Sequence, residues 1–188
     1  MEQSPDNLTY GFHGTSDLYV ASILQEGFRR STKPWDWLGH AIYFWEGDYE
    51  RAADWAAMIA GKDGGNPVVA RALIDLSHCF DLTLQRYRYQ LAQTAVTVIR
   101  NLPPEALLKM RQTEYRRDLD CHVLNTLFSA AIRDDGSRLF TTVRGLFREG
   151  QPLYVVSGLA SGIHDQDHIQ IGVLDHEAIR DIDITSGS

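Results

Sequence analysis

The sequence is poor in cysteine and contains no long apolar run. Two cysteines, Cys79 and Cys121, are too few for a disulfide framework, so we expect a reducing compartment, the cytoplasm. No stretch approaches the roughly 18 uninterrupted apolar residues of a membrane helix. The first residues also lack the basic and apolar segments of a secretion signal. We therefore expect no membrane partner.

Basic residues are also in the minority. The 18 Lys and Arg against 25 Asp and Glu give a net charge of −7, which counts against a broad nucleic-acid-binding surface and favours a protein as a macromolecular partner. What is present is an ordinary globular composition, 44% hydrophobic and 23% charged. A chain of this length is typical of one domain. We predict a single domain over residues 1–188.

Apolar periodicity predicts strands at both ends of the chain and helices in its middle. Alternation of apolar and polar residues predicts strands over 8–13, 41–45 and 168–174, and a further strand over 139–147. The segment 83–132 has apolar residues at helical spacing instead. The predicted fold class is α+β, with a helical insertion at about 83–132 between strands.

Capping residues predict the limits of two helices in the N-terminal third. Thr15 or Ser16 is suited to cap the first helix, which Gly27 would end. Asp48 is suited to cap the second, which would stop at Gly61.

Strand alternation also assigns side chains to faces. In the first strand Leu8, Tyr10 and Phe12 would face the core, and His13 would lie on the opposite side. The same alternation places Tyr43 and Gln170 opposite the core side chains of their strands. Periodicity alone does not bring His13, Tyr43 and Gln170 together.

The motifs on these strands resemble those of a known family. The motifs are FHGT at 12–15, GHAIYF at 39–44, AADW at 52–55 and QIGVLD at 170–175. In this order they resemble the catalytic domain of the poly(ADP-ribose) polymerase-like ADP-ribosyltransferases. The resemblance is specific over residues 10–56, looser over 139–180, and absent from the helical middle.

The resemblance implies an ADP-ribosyltransferase-like split β-sheet that binds NAD as its substrate. In this family a His, a Tyr and a Glu from three strands line the NAD crevice. The matching residues here are His13, Tyr43 and Gln170, which the resemblance implies to be catalytic. Glutamine therefore stands where the family commonly has its catalytic glutamate.

Further roles follow from the resemblance. His13 would bind the adenosine ribose, and the Gly14 backbone would hold the nicotinamide carboxamide, with Thr15 completing this cofactor-binding motif. Tyr43 would stack on the nicotinamide ring, and Trp55 would form the other wall of the slot.

Three other features have competing interpretations. Arg144 is a candidate for binding an NAD phosphate, and a surface ion pair explains it equally well. His168 precedes Gln170 by two residues and is a candidate for recognising the acceptor. The two His and two Asp within 164–168 resemble metal ligands, but no second cluster accompanies them, so we predict a solvated loop and no metal.

The resemblance implies an NAD-dependent mono-ADP-ribosyltransferase. An uncharged Gln170 would stabilise developing positive charge less than a carboxylate, so we expect transfer of a single ADP-ribose rather than chain elongation. The alternatives are an NAD glycohydrolase and a catalytically weak NAD- or ADP-ribose-binding module. An RNA 2′-phosphotransferase is disfavoured by the acidic charge and the Tyr43 motif. The architecture suits a bacterial toxin or effector, which leaves an inhibitor protein open as a second partner.

Overall fold

The computed structural model describes residues 7–113 and 116–186. The α+β class is confirmed, because these residues form strands at both ends of the chain and helices mainly between them. The strands are β1 Leu8–Ser16, β2 Ile42–Glu46, β3 Pro67–Asp75, β4 Cys79–Asp81, β5 Thr142–Phe147, β6 Val155–Val156, β7 Leu159–Ala160, β8 His168–Val173 and β9 Ile179–Ser186. The α-helices are α1 Asp17–Glu26, α2 Tyr49–Asp63, α3 Gln85–Asn101, α4 Pro104–Leu107 and α5 Asp118–Ala130, and a short 3₁₀ turn spans His176–Ala178.

Seven of the strands form one open sheet in the order β4-β5-β8-β2-β1-β3-β9. Neighbouring strands are antiparallel except for β4 and β5. The strands β6 and β7 pair separately as a small hairpin. This order places β8, which comes late in the chain, directly beside β2, the central strand of the sheet.

The contact between β1 and β2 is unusually short. All nine residues of β1 pair with β3, but only Gly11 and Phe12 pair with β2, opposite Glu46 and Trp45. Beyond Phe12 the two strands have no further pairing within the described residues. The sheet therefore separates between β1 and β2, towards the C-terminal end of β1.

Both faces of the sheet are covered by apolar packing. Consecutive β2 residues belong to different clusters: Phe44 packs with Phe28 and Ile171 on one face, and Trp45 packs with helix α2 on the other. The prediction that Leu8 and Tyr10 face the core is wrong, since they are 47% and 50% exposed. They lie near the start of β1, before the region that α2 covers.

The predicted faces of β1 therefore need correction. Gly11 lies on the same face as His13 and approaches the core so closely that a Cβ there would lie 2.7 Å from Ile74 Cδ1 and 2.8 Å from Phe44 Cβ. The His13 ring contacts Phe28 and Phe44, with centroid separations of 5.0 and 5.6 Å. His13 thus faces a core cluster rather than an open side of the sheet.

Helix limits agree with the capping residues except at one glycine. Ser16 Oγ accepts from the Leu18 N–H, Gly27 ends α1, and Asp48 caps α2. The predicted stop at Gly61 is wrong, because α2 continues to Asp63 and ends at Gly64, which has a left-handed φ of 77°. A glycine inside a helix costs only about 1 kcal/mol, so packing of the rest of the helix overrides it.

Helices occupy most of the segment predicted to be helical. Helices α3, α4 and α5 lie within the predicted 83–132, although residues 114 and 115 of that range lie outside the described residues. Leu124 and Phe128 of α5 pack with Phe80 and Val143, so α5 covers the β4–β5 end of the sheet. The predicted strand 139–147 begins only at Thr142.

No helix among the described residues is long and apolar enough to cross a membrane.

Gly14 provides a stability test of the contact between β1 and α2. A Cβ at Gly14 would lie 2.1 Å from the carbonyl oxygen of Ala52 and 2.8 Å from the Ala56 nitrogen. We expect Gly14→Ala to lower the free energy of unfolding by about 1–3 kcal/mol or more, because backbone must shift. Gly61→Ala is the matched control, since space there is open; it should raise stability by about 0.5–1 kcal/mol. Equal unfolding midpoints in denaturant would contradict the close strand–helix contact.

Candidate functional site

A cleft of about 510 Å³ lies where β1 and β2 separate. Six of the residues singled out from the sequence line it: His13, Gly14, Thr15, Tyr43, Trp55 and Gln170. They come from β1, β2, α2 and β8, which lie side by side in the fold although their residues span most of the chain. Two other predicted residues, Arg144 and His168, do not line this cleft.

His13 spans the separation between the two strands. Its Nδ1 lies 2.8 Å from the Tyr43 carbonyl oxygen, and a carbonyl only accepts, so Nδ1 carries the proton. Burial lowers the pKa of His13 below its ordinary value of 6.5, which keeps the ring neutral. Nε2 is then an acceptor, and it has no partner among the described residues. His13 therefore offers the cleft a hydrogen-bond acceptor.

Gly14 presents its backbone to the cleft. Two backbone hydrogen bonds show which residues of this segment point to which edge. The Tyr10 carbonyl, on an even-numbered residue, accepts from the Gly47 N–H on the β2 side. The Asp17 N–H, on an odd-numbered residue, donates to the Asn66 carbonyl on the β3 side. Since backbone groups of successive strand residues point to opposite edges, the N–H and C=O of Gly14 point to the β2 side. There β1 has no strand partner beyond Phe12, so a donor and an acceptor face the opening.

Tyr43 is fixed by two hydrogen bonds to the preceding turn. Its hydroxyl donates to the Gly39 carbonyl at 2.7 Å and accepts from the Leu38 N–H at 2.9 Å. Burial raises the pKa of the Tyr43 phenol well above 10, so the hydroxyl stays protonated. With its hydroxyl occupied, Tyr43 contributes its ring to the cleft.

Tryptophans dominate the walls of the cleft. All four tryptophans of the chain line it: Trp35, Trp37, Trp45 and Trp55. Trp55 lies on α2 and is 42% exposed, which makes it a cleft wall rather than a core residue. The Trp45 and Trp55 rings are tilted by 49° with centroids 6.0 Å apart. This composition suits a flat aromatic or heterocyclic ligand.

Gln170 lies in the centre of the sheet. It pairs with Trp45 of β2 on one side and with Gly145 of β5 on the other. The Gln170 side chain makes no hydrogen bond within the described residues. Its amide therefore has both a donor and an acceptor available to a ligand.

Five charged residues of the cleft were not identified from the sequence: Arg29, Lys33, Asp36, Arg51 and Glu149. Except for Arg51, they lie in loops, where no periodic pattern marks a functional residue. Asp36 accepts from Ser31 Oγ and Lys33 N–H, both at 3.0 Å, and burial raises the pKa of its carboxyl. Three basic against two acidic side chains make the cleft locally positive in a chain of net charge −7.

Arg144 forms a partly buried ion cluster instead of lining the cleft. Its guanidinium binds Glu46 through two nitrogens, at 2.5 and 3.1 Å, and Asp81 at 3.1 Å. These contacts join β5 to β2 and β4. Because both partners are carboxylates, the ion-pair interpretation of Arg144 holds in this structure and the phosphate-binding one does not.

His168 is buried beneath the cleft. Its side chain is 1% exposed, its ring contacts Trp45 and Phe147, and its Nδ1 lies 2.7 Å from the Gln166 carbonyl. The predicted role in recognising an acceptor requires an accessible side chain. His168 packs between rings here, so the structure does not bring it to the cleft.

The cysteines and the His–Asp loop do not form a second reactive site. Burial raises the pKa of the Cys79 thiol to about 12 and that of Cys121 to about 11, so both are protonated at neutral pH and behave as packing residues. Within residues 7–113 and 116–186, no group of three or more His, Cys, Asp and Glu is arranged to hold a metal ion.

The cleft has aromatic walls that suit a flat ring, a backbone donor and acceptor that suit an amide, and a His13 acceptor that suits a hydroxyl. No protein-family model matches this chain, and no curated protein matches it at a significant level. The chemistry of the site therefore rests on its own geometry and on the motifs that meet there.

The lowered pKa of His13 predicts a dependence of stability on pH. Below about pH 6.5 the unfolded chain takes up a proton at His13 that the folded protein disfavours, so stability should fall as the pH falls. His13→Asn removes this titration, while its amide N–H can still donate to Tyr43. We expect the free energy of unfolding of the wild type to fall more than that of His13→Asn between pH 7.5 and pH 5. Parallel profiles from denaturant titrations would contradict a neutral, buried His13.

Proposed function

We propose that this protein is an NAD-dependent mono-ADP-ribosyltransferase with an ADP-ribosyltransferase-like fold. The observation that carries the proposal is the meeting of His13, Gly14, Tyr43 and Gln170 in one cleft. These residues belong to three motifs that lie far apart in the sequence. The short pairing of β1 with β2 supports the split sheet that the resemblance implies.

The nicotinamide ring fits between Tyr43 and Trp55. The Tyr43 ring is held rigidly through its hydroxyl, so stacking on it loses little side-chain entropy. The carboxamide of nicotinamide has a carbonyl acceptor and an NH₂ donor, which complement the N–H and C=O that Gly14 turns towards the opening. A backbone clamp of this kind fixes the leaving group in orientation.

The remainder of NAD meets complementary groups in the same cleft. The His13 Nε2 acceptor suits a hydroxyl of the adenosine ribose. The Lys33 ammonium forms no hydrogen bond or ion pair among the described residues, and Arg29 forms only an exposed ion pair with Glu26, at 3.7 Å. These two cations replace Arg144 as our candidates for the pyrophosphate.

The reaction would break the bond between nicotinamide and ribose through an oxocarbenium-like transition state. The cleft contributes by holding the ring and ribose in a reactive geometry. Gln170 would accept a hydrogen bond from a ribose hydroxyl without supplying charge. We propose a protein as the acceptor, since the net charge of −7 disfavours nucleic acid, and a toxin- or effector-like role for the enzyme.

Gln170 also favours a second candidate function. A site without a glutamate at this position suits a protein that binds NAD or ADP-ribose with little catalysis. A further alternative is an NAD glycohydrolase, in which water replaces the macromolecular acceptor. Nicotinamide release separates both enzymes from the binding module. Label transferred to a macromolecule separates the transferase from the glycohydrolase.

Nicotinamide release from NAD is the deciding measurement. We expect the wild type to release nicotinamide, and Tyr43→Ala and Gln170→Ala each to reduce the rate more than about tenfold, or roughly 1.4 kcal/mol of transition-state stabilisation. Tyr43→Phe is the matched control for the ring, because it keeps the stacking surface and loses only the bonds to Leu38 and Gly39. A wild type that binds NAD without cleaving it would leave the binding module as the function. Absence of both binding and cleavage would refute the proposal.

Intrinsic fluorescence offers a direct binding assay. Because all four tryptophans line the cleft, we expect NAD to quench the tryptophan emission in a saturable titration. Trp55→Phe should weaken NAD binding by about 0.5–1.5 kcal/mol if Trp55 stacks on the ring. An unchanged emission spectrum at saturating NAD would argue against ligand binding in this cleft.

A further inference from the structure

Glu149 brings a carboxylate to the cleft, in which Gln170 stands at the position of the glutamate that the resembled family commonly has. It follows the C-terminal end of β5, the strand that pairs with β8 on the far side from β2. Gly145 of β5 lies opposite Gln170, and Phe147 lies opposite His168. Glu149 therefore leaves the sheet one strand away from Gln170, and both residues line the same cleft.

Two hydrogen bonds hold Glu149 in place: its Oε2 accepts from Arg51 Nη2 at 2.8 Å, and its backbone N–H donates to Asp167 Oδ1 at 3.1 Å. The same Oε2 also lies 3.7 Å from Nδ1 of the buried His168. Arg51 lies on α2 with a side chain only 16% exposed, so this ion pair is partly shielded from water. The second oxygen, Oε1, has no hydrogen-bond partner among the described residues. One oxygen thus anchors the group and the other remains available to a ligand.

We propose that Glu149 is the catalytic carboxylate of this enzyme, supplied from the loop after β5 in place of a glutamate at position 170. The inference rests on the proposed cleavage of NAD. It assigns the charge to Glu149 and leaves Gln170 to bind the ribose as a neutral hydrogen-bond partner. Neither the motifs nor the resemblance points to Glu149.

The electrostatics of the transition state favour this division of roles. Cleavage of the nicotinamide–ribose bond develops positive charge on the ribose, which a nearby anion stabilises and an amide does not. Of the two carboxylates in the cleft, Asp36 already accepts hydrogen bonds at both oxygens from its own loop. Glu149 is the one with an unoccupied oxygen.

The step balances without a further reactant. The bond between the ribose C1′ and the nicotinamide nitrogen breaks, and its electron pair leaves with nicotinamide, which becomes neutral. A lone pair of the acceptor oxygen or nitrogen forms the new bond to C1′. The acceptor proton passes to Glu149 Oε1 and then to solvent. The products are the ADP-ribosylated acceptor, or ADP-ribose when water is the acceptor, with nicotinamide and one proton.

Glu149→Gln tests the proposal with little change of shape. Glutamine can still accept from Arg51, so we expect the variant to fold and to bind NAD within about threefold of the wild type in the fluorescence titration. Nicotinamide release should fall at least about 100-fold, the scale of a lost acid–base group. Glu50→Gln, an exposed carboxylate on the same helix as Arg51, should leave the rate unchanged.

The outcomes separate this inference from the proposed function. If the wild type releases nicotinamide and Glu149→Gln falls less than about tenfold, the role of Glu149 is refuted and the proposed function stands. If the wild type releases none, both fail together. If Glu149→Gln does not fold, Glu149→Asp decides: shortening the side chain should reduce the rate roughly 10- to 100-fold, and a full rate would overturn the proposal.

Rescue by formate distinguishes chemistry from packing. Glu149→Ala leaves space for a small carboxylate beside Arg51, so added formate should restore part of the nicotinamide release. Glu50→Ala should not respond to formate. A folded, inactive Glu149→Ala that formate does not restore would overturn the assignment in favour of a purely structural ion pair with Arg51.

Discussion

The structure depends on the early separation of β1 from β2. Their pairing ends after Phe12 and Trp45, and from there His13 bridges the gap through its side chain instead of its backbone. The separation exposes the Gly14 backbone to the cleft, while α2 closes over the other side of Gly14 so tightly that no Cβ fits. Packing against α2 therefore imposes glycine at position 14, where the backbone also faces the cleft.

The cleft combines groups that are scarce elsewhere on the chain. A protein with a net charge of −7 concentrates three basic side chains there, together with all four of its tryptophans. A positive, aromatic cleft attracts a ligand that has both rings and phosphates. Under our proposals the carboxylate comes from Glu149, which Arg51 holds, and the neutral Gln170 binds beside it. In these proposals a neighbouring loop supplies the charge that the strand position of Gln170 lacks.

The sequence predicted those parts of the site that lie on regular strands with recognisable motifs. The order of the motifs pointed to His13, Tyr43 and Gln170, which all line the cleft, whereas strand period alone did not, since His13 faces a core cluster. The faces of β1 were not, since alternation cannot reveal that both sides of a sheet are covered. Glu149 and Lys33 lie in loops without a pattern, and the burial of His168 between Trp45 and Phe147 is a tertiary contact that no local signal encodes.

The position of β8 beside β2 has a consequence for biosynthesis. The cleft needs His13 from β1 and Gln170 from β8, so its groups can assemble only after the chain through β8 has left the ribosome. Contacts between such distant residues form late in folding. A nascent or truncated chain that ends before β8 therefore lacks the complete cleft, and under our proposal it would not consume NAD.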